Sequence, residues 1–523
     1  MTVEQFLTSL QTKGVKIWLE GEQLGCRAPK GVMTAAIQQE LKQRKTEILA
    51  FLKEAQAATQ STSIPLEPVA RDEELPLSFA QQGMWFLHQL DKASPFYNES
   101  LQLRIVGKLS VSALEASINE IIRRHEALRT TFAVTEGIPV QVIAPKLTIN
   151  IPVVDLPDLP PASLQQIVTQ EVRQPFDLSI SPLLRATLIR QQAESHLLIL
   201  TMHHIITDGW SMGIFLQELE ILYQAFTQGK PNPLPELTIQ SADFAVWQRQ
   251  WLTKGVQQQQ LDYWKQQLAG APPLLELPTD YPRPSVQTFV GANKRFQLDK
   301  DLTDKLVTLS QNSGVTLFMT LLTALAILLH RYSGEDDICI GTPFANRDRT
   351  EINPLIGCFI NTLVLRTQIA ENPSFSQLLA QVRAVVLDAH ANQDLPFEQV
   401  VEALQPERSL GHNTLFQVMF VLENFSLEPI ELAEVSLTPD IVERGSCLFD
   451  LNLSIWQTNN GLMGSWEYKR DLFAPQTIER MTLHFQTLLA TIVSNPHQRV
   501  GELAFLSESE LHQLLVEWND TQA

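Results

Sequence analysis

The alternation of apolar and polar positions is clearest near the amino terminus. Val15, Ile17 and Leu19 are spaced two residues apart, which predicts a strand with one buried face. Residues 20–22, Glu-Gly-Glu, are typical of a turn, and residues 23–28 can return as a second strand. The pattern therefore predicts a β-hairpin.

Apolar residues at helical spacing flank this hairpin on both sides. Thr2 can cap a first helix that Gly14 ends, and Thr34 can cap a second helical region. The apolar faces consist of Val3, Phe6, Leu7 and Leu10 in the first region and Ile37, Leu41, Ile48 and Leu52 in the second. Residues 1–54 thus form a small candidate domain, which is marginal in stability by itself.

Residues 55–74 differ in composition from what precedes and follows them. They contain two prolines and few large apolar side chains, which is typical of a linker. The alternative is an ordered connector that lies on the next domain.

Strand-like and helix-like segments alternate from Leu75 onward. Two β-rich runs, 183–190 and 196–202, flank a polar turn and predict a hairpin. Helical periodicity recurs in residues 111–124, 212–226 and 302–331. This alternation predicts a mixed α/β fold. The region is too long for one compact lobe, so we expect a division near residues 250–273.

Composition and charge narrow the class of protein. The 523 residues are 44% hydrophobic and 19% charged, which is a globular composition. A net charge of -19 argues against a nucleic-acid partner, because phosphate binding requires clustered Lys and Arg. The four cysteines form no CxxC pair, so we expect mostly buried, reduced thiols in a cytoplasmic protein. The first residues lack a signal pattern, and the longest apolar stretch, 315–329, is too short to cross a bilayer and predicts a buried helix.

Residues 197–226 carry the most informative pattern. An apolar strand runs into His203 and His204, a short loop leads to Asp208 and Gly209, and an amphipathic helix follows. Adjacent residues of an extended segment point to opposite sides, so one imidazole can face a cavity and the other the core. We expect Asp208 to make a structural ion pair and Gly209 to adopt a backbone angle that other residues avoid.

Three other interpretations of this segment remain open. A histidine beside an apolar strand is often a satisfied core residue, and the motif could be accidental. The cluster could also bind a metal, but the opposed directions of the two imidazoles argue against shared ligation, so we expect no metal site.

The HHIITDG sequence resembles the HHxxxDG signature of the chloramphenicol acetyltransferase superfamily. Six further segments resemble, in order, the motifs of condensation domains of nonribosomal peptide synthetases: LSFAQQGMWFL (77–87), RHEALRTTF (124–132), DFAVWQR (243–249), IGCFINTLVLR (356–366), NQDLPFE (392–398) and RSLGHNTLFQVMF (408–420). NTLVLR and LFQVMFVLEN are similar to the subtype that joins an L-donor to an L-acceptor. Three positions depart from the usual motifs: Gly83 for arginine, Ser241 for tyrosine and Asn392 for histidine.

The resemblance implies a V-shaped α/β fold (α+β) of two chloramphenicol acetyltransferase-like lobes, which we assign to residues 75–250 and 251–500. Residues 1–54 resemble an αββαα docking domain of the tubulysin type, which binds a C-terminal peptide of an upstream synthetase, often by strand addition. Residues 501–523 resemble a linker toward an adenylation domain. The implied partners are upstream donor and downstream acceptor peptidyl carrier proteins, whose phosphopantetheine arms carry the substrates. We expect no cofactor bound by this chain, no nucleic acid and no membrane.

The resemblance also suggests roles for individual residues. His204 would orient the acceptor amine and accept or relay its proton, and His203 would be structural. Asp208 would pair with Arg124 or Arg129, between which the sequence does not choose, and Gly209 would keep the loop tight. Three more residues, each of which could equally serve packing alone, are candidates for lining or closing the tunnel: Trp247, Asn361 and Gln393.

Two other functions compete with peptide-bond formation. The chain could be a free-standing acyltransferase that uses acyl-coenzyme A, or a recruitment platform whose active site has decayed. The later motifs argue against the first, and the intact HHIITDG argues against the second. The identities of the donor and acceptor amino acids and the oligomeric state do not follow from the sequence.

Overall fold

The structure is a computed structural model, and the residues that it describes are 16–20, 23–27, 41, 45, 48, 64–157, 160–252, 256–407, 409–423, 429–432, 434–442 and 444–517. The chain divides into two compact units, residues 1–65 with 310–316, and residues 66–309 with 317–523. The helix predicted between Thr2 and Gly14 lies outside the described residues.

Seventeen strands lie in the described parts of the chain. They are β1 Lys16–Glu20, β2 Gln23–Arg27, β3 Leu75–Pro76, β4 Asn98–Gly107, β5 Thr130–Thr135, β6 Ile138–Ile143, β7 Val153–Asp155, β8 Leu184–Gln192, β9 Ser195–His203, β10 Gly291–Leu298, β11 Asp337–Phe344, β12 Asn361–Gln368, β13 Val418–Glu423, β14 Ile430–Leu432, β15 Val435–Ile441, β16 Leu451–Thr458 and β17 Gly461–Lys469.

Twelve α-helices lie in the same parts of the chain. They are α1 Phe79–Leu90, α2 Val111–Arg124, α3 Pro161–Arg173, α4 Gly209–Thr227, α5 Ser241–Leu252, α6 Val256–Gln267, α7 Lys300–Asn312, α8 Leu317–Ser333, α9 Phe375–Ala391, α10 Phe397–Leu404, α11 Pro475–Ser494 and α12 Glu508–His512.

The first unit contains the predicted amino-terminal hairpin. Strands β1 and β2 pair antiparallel, with Lys16 opposite Arg27 and Glu20 opposite Gln23, which confirms both strands. Leu41 and Ile48, assigned to one apolar helix face, are both helical and buried.

Two six-stranded sheets form the framework of the second unit. The first has the order β14-β15-β4-β9-β8-β7 and the second the order β10-β17-β16-β13-β11-β12. Both mix parallel and antiparallel pairs. The predicted hairpin of residues 183–202 is confirmed as β8 and β9. This mixed α/β architecture also confirms the predicted fold class.

The first sheet takes two of its strands from late in the chain. β15 pairs antiparallel with β4, with Val435 opposite Gly107 and Ile441 opposite Leu101, and β14 extends that edge. The division expected near residues 250–273 does not anticipate this pairing of residues 435–441 with β4.

Helices α2 and α4 cover the first sheet with an apolar face. Ile118 and Ile122 from α2 and Phe215 and Leu219 from α4 are buried in one cluster with Leu200 of β9. Burying a side chain of this size contributes about 1.5–3 kcal/mol, so this layer fixes β9 against the helix that follows it.

Residues 302–331, which the periodicity predicts as helical throughout, form two helices, α7 and α8, whose axes differ by 105°. Gly314 has a φ of 65°, and its N–H donates to the Gln311 carbonyl while that of Val315 donates to Ser310. These paired bonds end a helix at a left-handed glycine, which helical periodicity alone does not reveal.

Helix α8 confirms the buried helix predicted for residues 315–329, since every residue from Met319 to Leu329 is buried. Within the described ranges, no single helix is long and apolar enough to cross a membrane. The bent pair of α7 and α8 meets that criterion jointly, by length and composition only.

The part of the predicted linker that the structure describes, residues 64–74, contains neither helix nor strand. The Val69 N–H and the Arg71 guanidinium both donate to Asp243 of α5, at 2.9 and 2.7 Å, and Arg71 also contacts Glu126 at 2.8 Å. These contacts hold Val69 and Arg71 against α5 and Glu126 of the second unit.

Candidate active site

The two histidines lie where β9 ends. A 3₁₀ turn, His204–Ile206, follows the strand, and α4 begins at Gly209. The backbone N–H of His203 donates to the Leu183 carbonyl of the neighbouring chain segment, and that of His204 donates to the Tyr97 carbonyl, at 3.0 and 2.7 Å. The two N–H groups point to opposite edges of the strand, as in extended backbone, so the two side chains point to opposite faces. The two imidazoles therefore occupy different environments, as the sequence predicts.

His203 is buried and faces the core. Its Nδ1 accepts a hydrogen bond from the Ile205 N–H at 3.1 Å, so the neutral ring carries its proton on Nε2. The rings of His88, Tyr97 and Phe176 lie 5.9–6.3 Å from it, centroid to centroid. Burial lowers the pKa of His203 to about 3, which makes it a neutral packing residue.

This arrangement predicts that mild acid destabilises the fold. His203 binds a proton near pH 6.5 in the unfolded chain but only near pH 3 in the fold, so stability falls as the pH drops below 6.5. The loss reaches about 2 kcal/mol at pH 5. His203→Asn keeps an acceptor for Ile205 without titrating, so its thermal unfolding should depend less on pH between 7 and 5. An equal dependence of melting temperature on pH in wild type and His203→Asn would contradict this account. Some dependence should remain in both proteins, because burial also lowers the pKa values of His88 and His125.

His204 faces the cavity. Its Nδ1 lies 2.7 Å from the Thr207 carbonyl oxygen, which can only accept, so Nδ1 carries a proton. In the neutral ring, Nε2 is then the free acceptor. This atom lies 3.7 Å from Glu99 Oε1, and both residues line the same cavity.

Asp208 is fully buried and caps α4. Its Oδ1 accepts from the backbone N–H and the hydroxyl of Ser211 at 2.8 and 2.7 Å, and Oδ2 accepts from the Phe359 N–H at 3.1 Å. The Arg347 guanidinium donates to both carboxylate oxygens at 3.1 and 3.3 Å. The carboxylate therefore ties the loop after β9 to two segments of the carboxy-terminal half.

The predicted partners of Asp208 require a correction. Arg124 instead donates twice to Glu218, at 3.0 Å each, and Arg129 contacts Glu126 and the Ala144 carbonyl. Arg347, the actual partner, lies in the charged run Asn346–Arg349, whose composition is typical of a solvated surface. The only available signal was that a buried carboxylate needs a buried cation.

Gly209 also differs from its predicted role. It is the first residue of α4 and does not have a positive φ. A Cβ atom at this position would lie 3.5 Å from a carboxylate oxygen of Glu423, an ordinary contact. Since Gly209 lines the cavity, its missing side chain leaves open space there rather than enabling a strained turn.

A cavity of about 1860 Å³ opens beside His204 and lies between the two sheets. Strand β4 and helices α1 and α4 form one wall, while α10 and strands β13, β16 and β17 form the other. A space of this size exceeds a typical small-molecule pocket of about 300–1,000 Å³. It can therefore hold two extended substituents that meet near the imidazole.

The three tunnel candidates lie in different places. Asn361 lines the cavity, and its amide donates to the Gln393 and Leu395 carbonyls at 2.6 and 2.7 Å while its carbonyl accepts from Phe397. Gln393 donates to Asp348 instead of lining the cavity. Trp247 stacks on Trp251 and under the Arg349 guanidinium, which is a packing role.

The three departures from the expected motifs have local consequences. Gly83 lines the cavity, and a Cβ there would come within 2.6 Å of Glu398 Oε1. Ser241 begins α5 with its side chain packed toward Gly357, and Asn392 follows α9 with its side-chain amide donating to the Asp388 carbonyl at 2.9 Å. Of the three positions, Gly83 is the one that lines the cavity.

Two acidic residues of the cavity, Glu398 and Glu423, were not singled out by the sequence analysis, although each lies in a segment that resembles a family motif. Surrounding protein raises the pKa of Glu398 to about 7, although its side chain still reaches the cavity solvent. Burial, with a smaller contribution from Glu99, raises the pKa of Glu423 to about 7. In the described ranges, no group of three or more His, Cys, Asp or Glu side chains has the arrangement of a metal site.

Comparison with known proteins gives a consistent picture. A family model described as "Condensation domain" matches residues 71–515, and one described as "TubC N-terminal docking domain" matches residues 3–54. A linear gramicidin synthase polypeptide of Brevibacillus parabrevis is 48% identical over 466 residues, which are 88% of this chain and 9% of that protein. Phosphinothricin tripeptide synthetase PhsC of Streptomyces viridochromogenes is 42% identical over 88% of this chain and 43% of its own length.

Solved structures agree in fold. The X-domain from teicoplanin biosynthesis matches 85% of this chain and all of its own, with a TM-score of 0.76 and 28% identity. The first condensation domain of the calcium-dependent antibiotic synthetase matches 84% of this chain and all of its own, with a TM-score of 0.74 and 20% identity. The chain spans about a tenth of the length of the first curated relatives that it matches.

Proposed function

The chain belongs to the condensation-domain family of nonribosomal peptide synthetases, amide-forming acyltransferases, and from that premise we propose that it joins two carrier-bound aminoacyl groups by a peptide bond. The acceptor α-amine attacks the donor thioester carbonyl, the new C–N bond forms, and the C–S bond breaks. One observation carries the proposal. The Nδ1–H of His204 is committed to the Thr207 carbonyl, so Nε2 presents a lone pair to a cavity that both halves of the second unit share.

The chemistry makes modest demands on this base. A free α-amine has a pKa of about 8 and a leaving thiol one of about 8.5, so neither deprotonation nor departure needs strong assistance. General base catalysis supplies about 10²- to 10⁴-fold, whereas positioning of two tethered reactants can reach effective molarities of about 10⁵ to 10⁸ M. We propose that His204 orients the amine and accepts its proton, while His203 and Asp208 hold the loop.

We propose further that the substrates arrive on the phosphopantetheine arms of two carrier proteins, a donor upstream and an acceptor downstream. The volume and position of the cavity support this, since two arms must reach one imidazole. We also propose that the chain is of the subtype that joins an L-donor to an L-acceptor. Its two lobes would comprise residues 75–250 and 251–500. The described cysteines, which are free and buried, support a cytoplasmic location.

The amino-terminal region supports a docking role. The match of residues 3–54 and the β1–β2 hairpin fit a module that receives a C-terminal peptide of an upstream synthetase by strand addition. We assign residues 55–74 to a linker and residues 501–523 to a connection toward an adenylation domain.

A panel of loaded donor and acceptor carriers tests this function. We expect at least one pairing to yield a dipeptidyl group on the acceptor carrier, identified by mass spectrometry, and its formation to accelerate when the donor carrier bears an upstream C-terminal docking segment. Turnover of acyl-coenzyme A without carriers would instead favour a free-standing acyltransferase. Binding of both carriers without product for any pairing would favour a recruitment platform.

A further inference from the structure

Glu99 is a carboxylate beside the catalytic imidazole. It follows Asn98 at the start of β4, where Asn98 lies opposite His203 in the antiparallel register. This register brings the Glu99 side chain toward the loop that holds His204, with Oε1 3.7 Å from Nε2. Both side chains are about four-fifths buried and line the cavity.

Arg444 fixes the orientation of this carboxylate. Its guanidinium donates from Nη1 to Oε1 and from Nη2 to Oε2 of Glu99, at 3.1 and 2.6 Å. Such a two-pronged ion pair restricts both rotation and displacement of the carboxylate. Glu99 therefore presents the same oxygen to His204 at a constant position.

The two facing atoms are both hydrogen-bond acceptors. His204 Nε2 carries a lone pair because Nδ1 holds the proton, and Glu99 Oε1 is a carboxylate oxygen. A separation of 3.7 Å is too long for a direct hydrogen bond. A group with two or more N–H donors and positive charge, placed in the cavity against both atoms, would satisfy them together.

The surrounding charges favour a cation at the same place. Arg444 interacts electrostatically with Glu99, Glu423 and Glu467, so one guanidinium serves three acidic groups. Glu423 faces the start of α4, 3.5 Å from where a Cβ of Gly209 would lie. Burial, with a smaller contribution from Glu99, raises the pKa of Glu423 to about 7, so the fixed negative charge beside His204 is that of Glu99.

We propose that Glu99 is a further catalytic residue, which binds the α-ammonium group of the acceptor between its carboxylate and His204 Nε2. This inference rests on the proposed function, because the ligand is the acceptor of the condensation reaction. It names a binding residue for the amine on the strand opposite the HHIITDG loop. Glu99 is thereby the residue that distinguishes an amine from other acceptor groups.

The proton balance follows from this arrangement. The ammonium group transfers one proton to His204 Nε2, and Glu99 stabilises the imidazolium that forms. The neutral amine attacks the thioester carbonyl, the C–S bond breaks, and the second proton lost by nitrogen ends on the leaving sulfur. The imidazolium then releases its proton to solvent, so that one proton is released for each ammonium consumed.

Glu99→Gln tests the role of the charge while it retains the shape of the side chain. Since a hydrogen bond to a charged group contributes about 1.5–3 kcal/mol, we expect kcat/KM for the acceptor carrier to fall about 10- to 100-fold. Glu99→Asp should recover part of that loss. Glu220→Gln is the matched control, because Glu220 also lines the cavity but lies on α4 about 16 Å along the helix from Gly209. Its kcat/KM should stay within about twofold of wild type.

A comparison of two acceptor carriers separates binding of the amine from a structural effect. One carries an α-aminoacyl group and the other the matching α-hydroxyacyl group, and each competes with a reactive acceptor in the condensation assay. We expect wild type and Glu220→Gln to prefer the aminoacyl competitor about 10-fold or more, and Glu99→Gln to lose this preference. An unchanged preference in Glu99→Gln would overturn the inference while wild type still condenses; absence of product from wild type would overturn the proposed function instead. If Glu99→Gln fails to fold, Glu99→Asp takes its place in the test. A Glu99→Asp variant that keeps both the wild-type preference and the wild-type rate would also overturn the inference.

Discussion

His204→Ala is expected to slow dipeptidyl-carrier formation by about 10²- to 10⁴-fold, the range that general base catalysis supplies. The substitution removes the Nε2 lone pair from the cavity and the Nδ1–H that the Thr207 carbonyl accepts. It leaves carrier binding and the approach of the two thioester arms intact, so a residual rate from positioning should persist. The loop retains the cap that Asp208 provides, so the variant should fold.

Single-turnover assays with preloaded carriers measure this effect, because they separate bond formation from carrier exchange. His412→Ala is a suitable control, since His412 also lines the cavity but its Nδ1 is engaged by the neighbouring Asn413 carbonyl. We expect the control to retain nearly the wild-type rate, and both variants to melt within a few degrees of wild type. Undiminished condensation by His204→Ala would refute the assignment of the base.

The local part of this site could be predicted from the sequence because neighbouring residues determine it. The apolar run before His203, the strand alternation and the helical periodicity after Gly209 suffice to place one imidazole in the core and one toward a cavity. Likewise, alternation over five residues identified strand β1, whose pairing with β2 depends on a short connection.

The part that could not be predicted depends on residues far apart in the chain. Arg347 reaches Asp208 across 139 positions, and Arg444 reaches Glu99 across 345. Arg347 follows strand β11, and Arg444 follows strand β15, so each contact forms only once the carboxy-terminal half packs beside the first sheet. Neither arginine has a local signature, because its charge is compatible with a surface position until the topology is known.

The break between α7 and α8 was not predicted, for a different reason. Apolar spacing continues through residues 302–331, and a single glycine at a left-handed φ separates two helices that bend by 105°. Glycine costs a helix about 1 kcal/mol relative to alanine, which is too little to decide between a weak point and a terminus. The tertiary packing of each helix makes that decision.

Asp208→Ala is expected to destabilise the second unit by about 3–5 kcal/mol, the usual cost of removing one partner from a buried ion pair. Its carboxylate accepts from Ser211, Arg347 and Phe359 in a region closed to solvent. Without it, the Arg347 guanidinium loses its buried counter-ion, although Nη1 still donates to the Ile352 and Leu355 carbonyls. For a domain that spans residues 71–515, this loss corresponds to a decrease of about 3–5 °C in melting temperature.

Differential scanning calorimetry with a double-mutant cycle tests the pairing itself. Arg347→Met removes the stranded cation, so Asp208→Asn combined with Arg347→Met should be less destabilised than the sum of the two single variants. Asp301→Ala, which removes an exposed partner of Lys305, is the control and should leave the melting temperature within about 1 °C of wild type. Additive effects would show that Asp208 and Arg347 do not interact energetically. If Asp208→Ala melts like wild type but no longer catalyses condensation, Asp208 takes part in the reaction itself. A carboxylate that only stabilises the loop cannot lower the rate without also lowering the melting temperature.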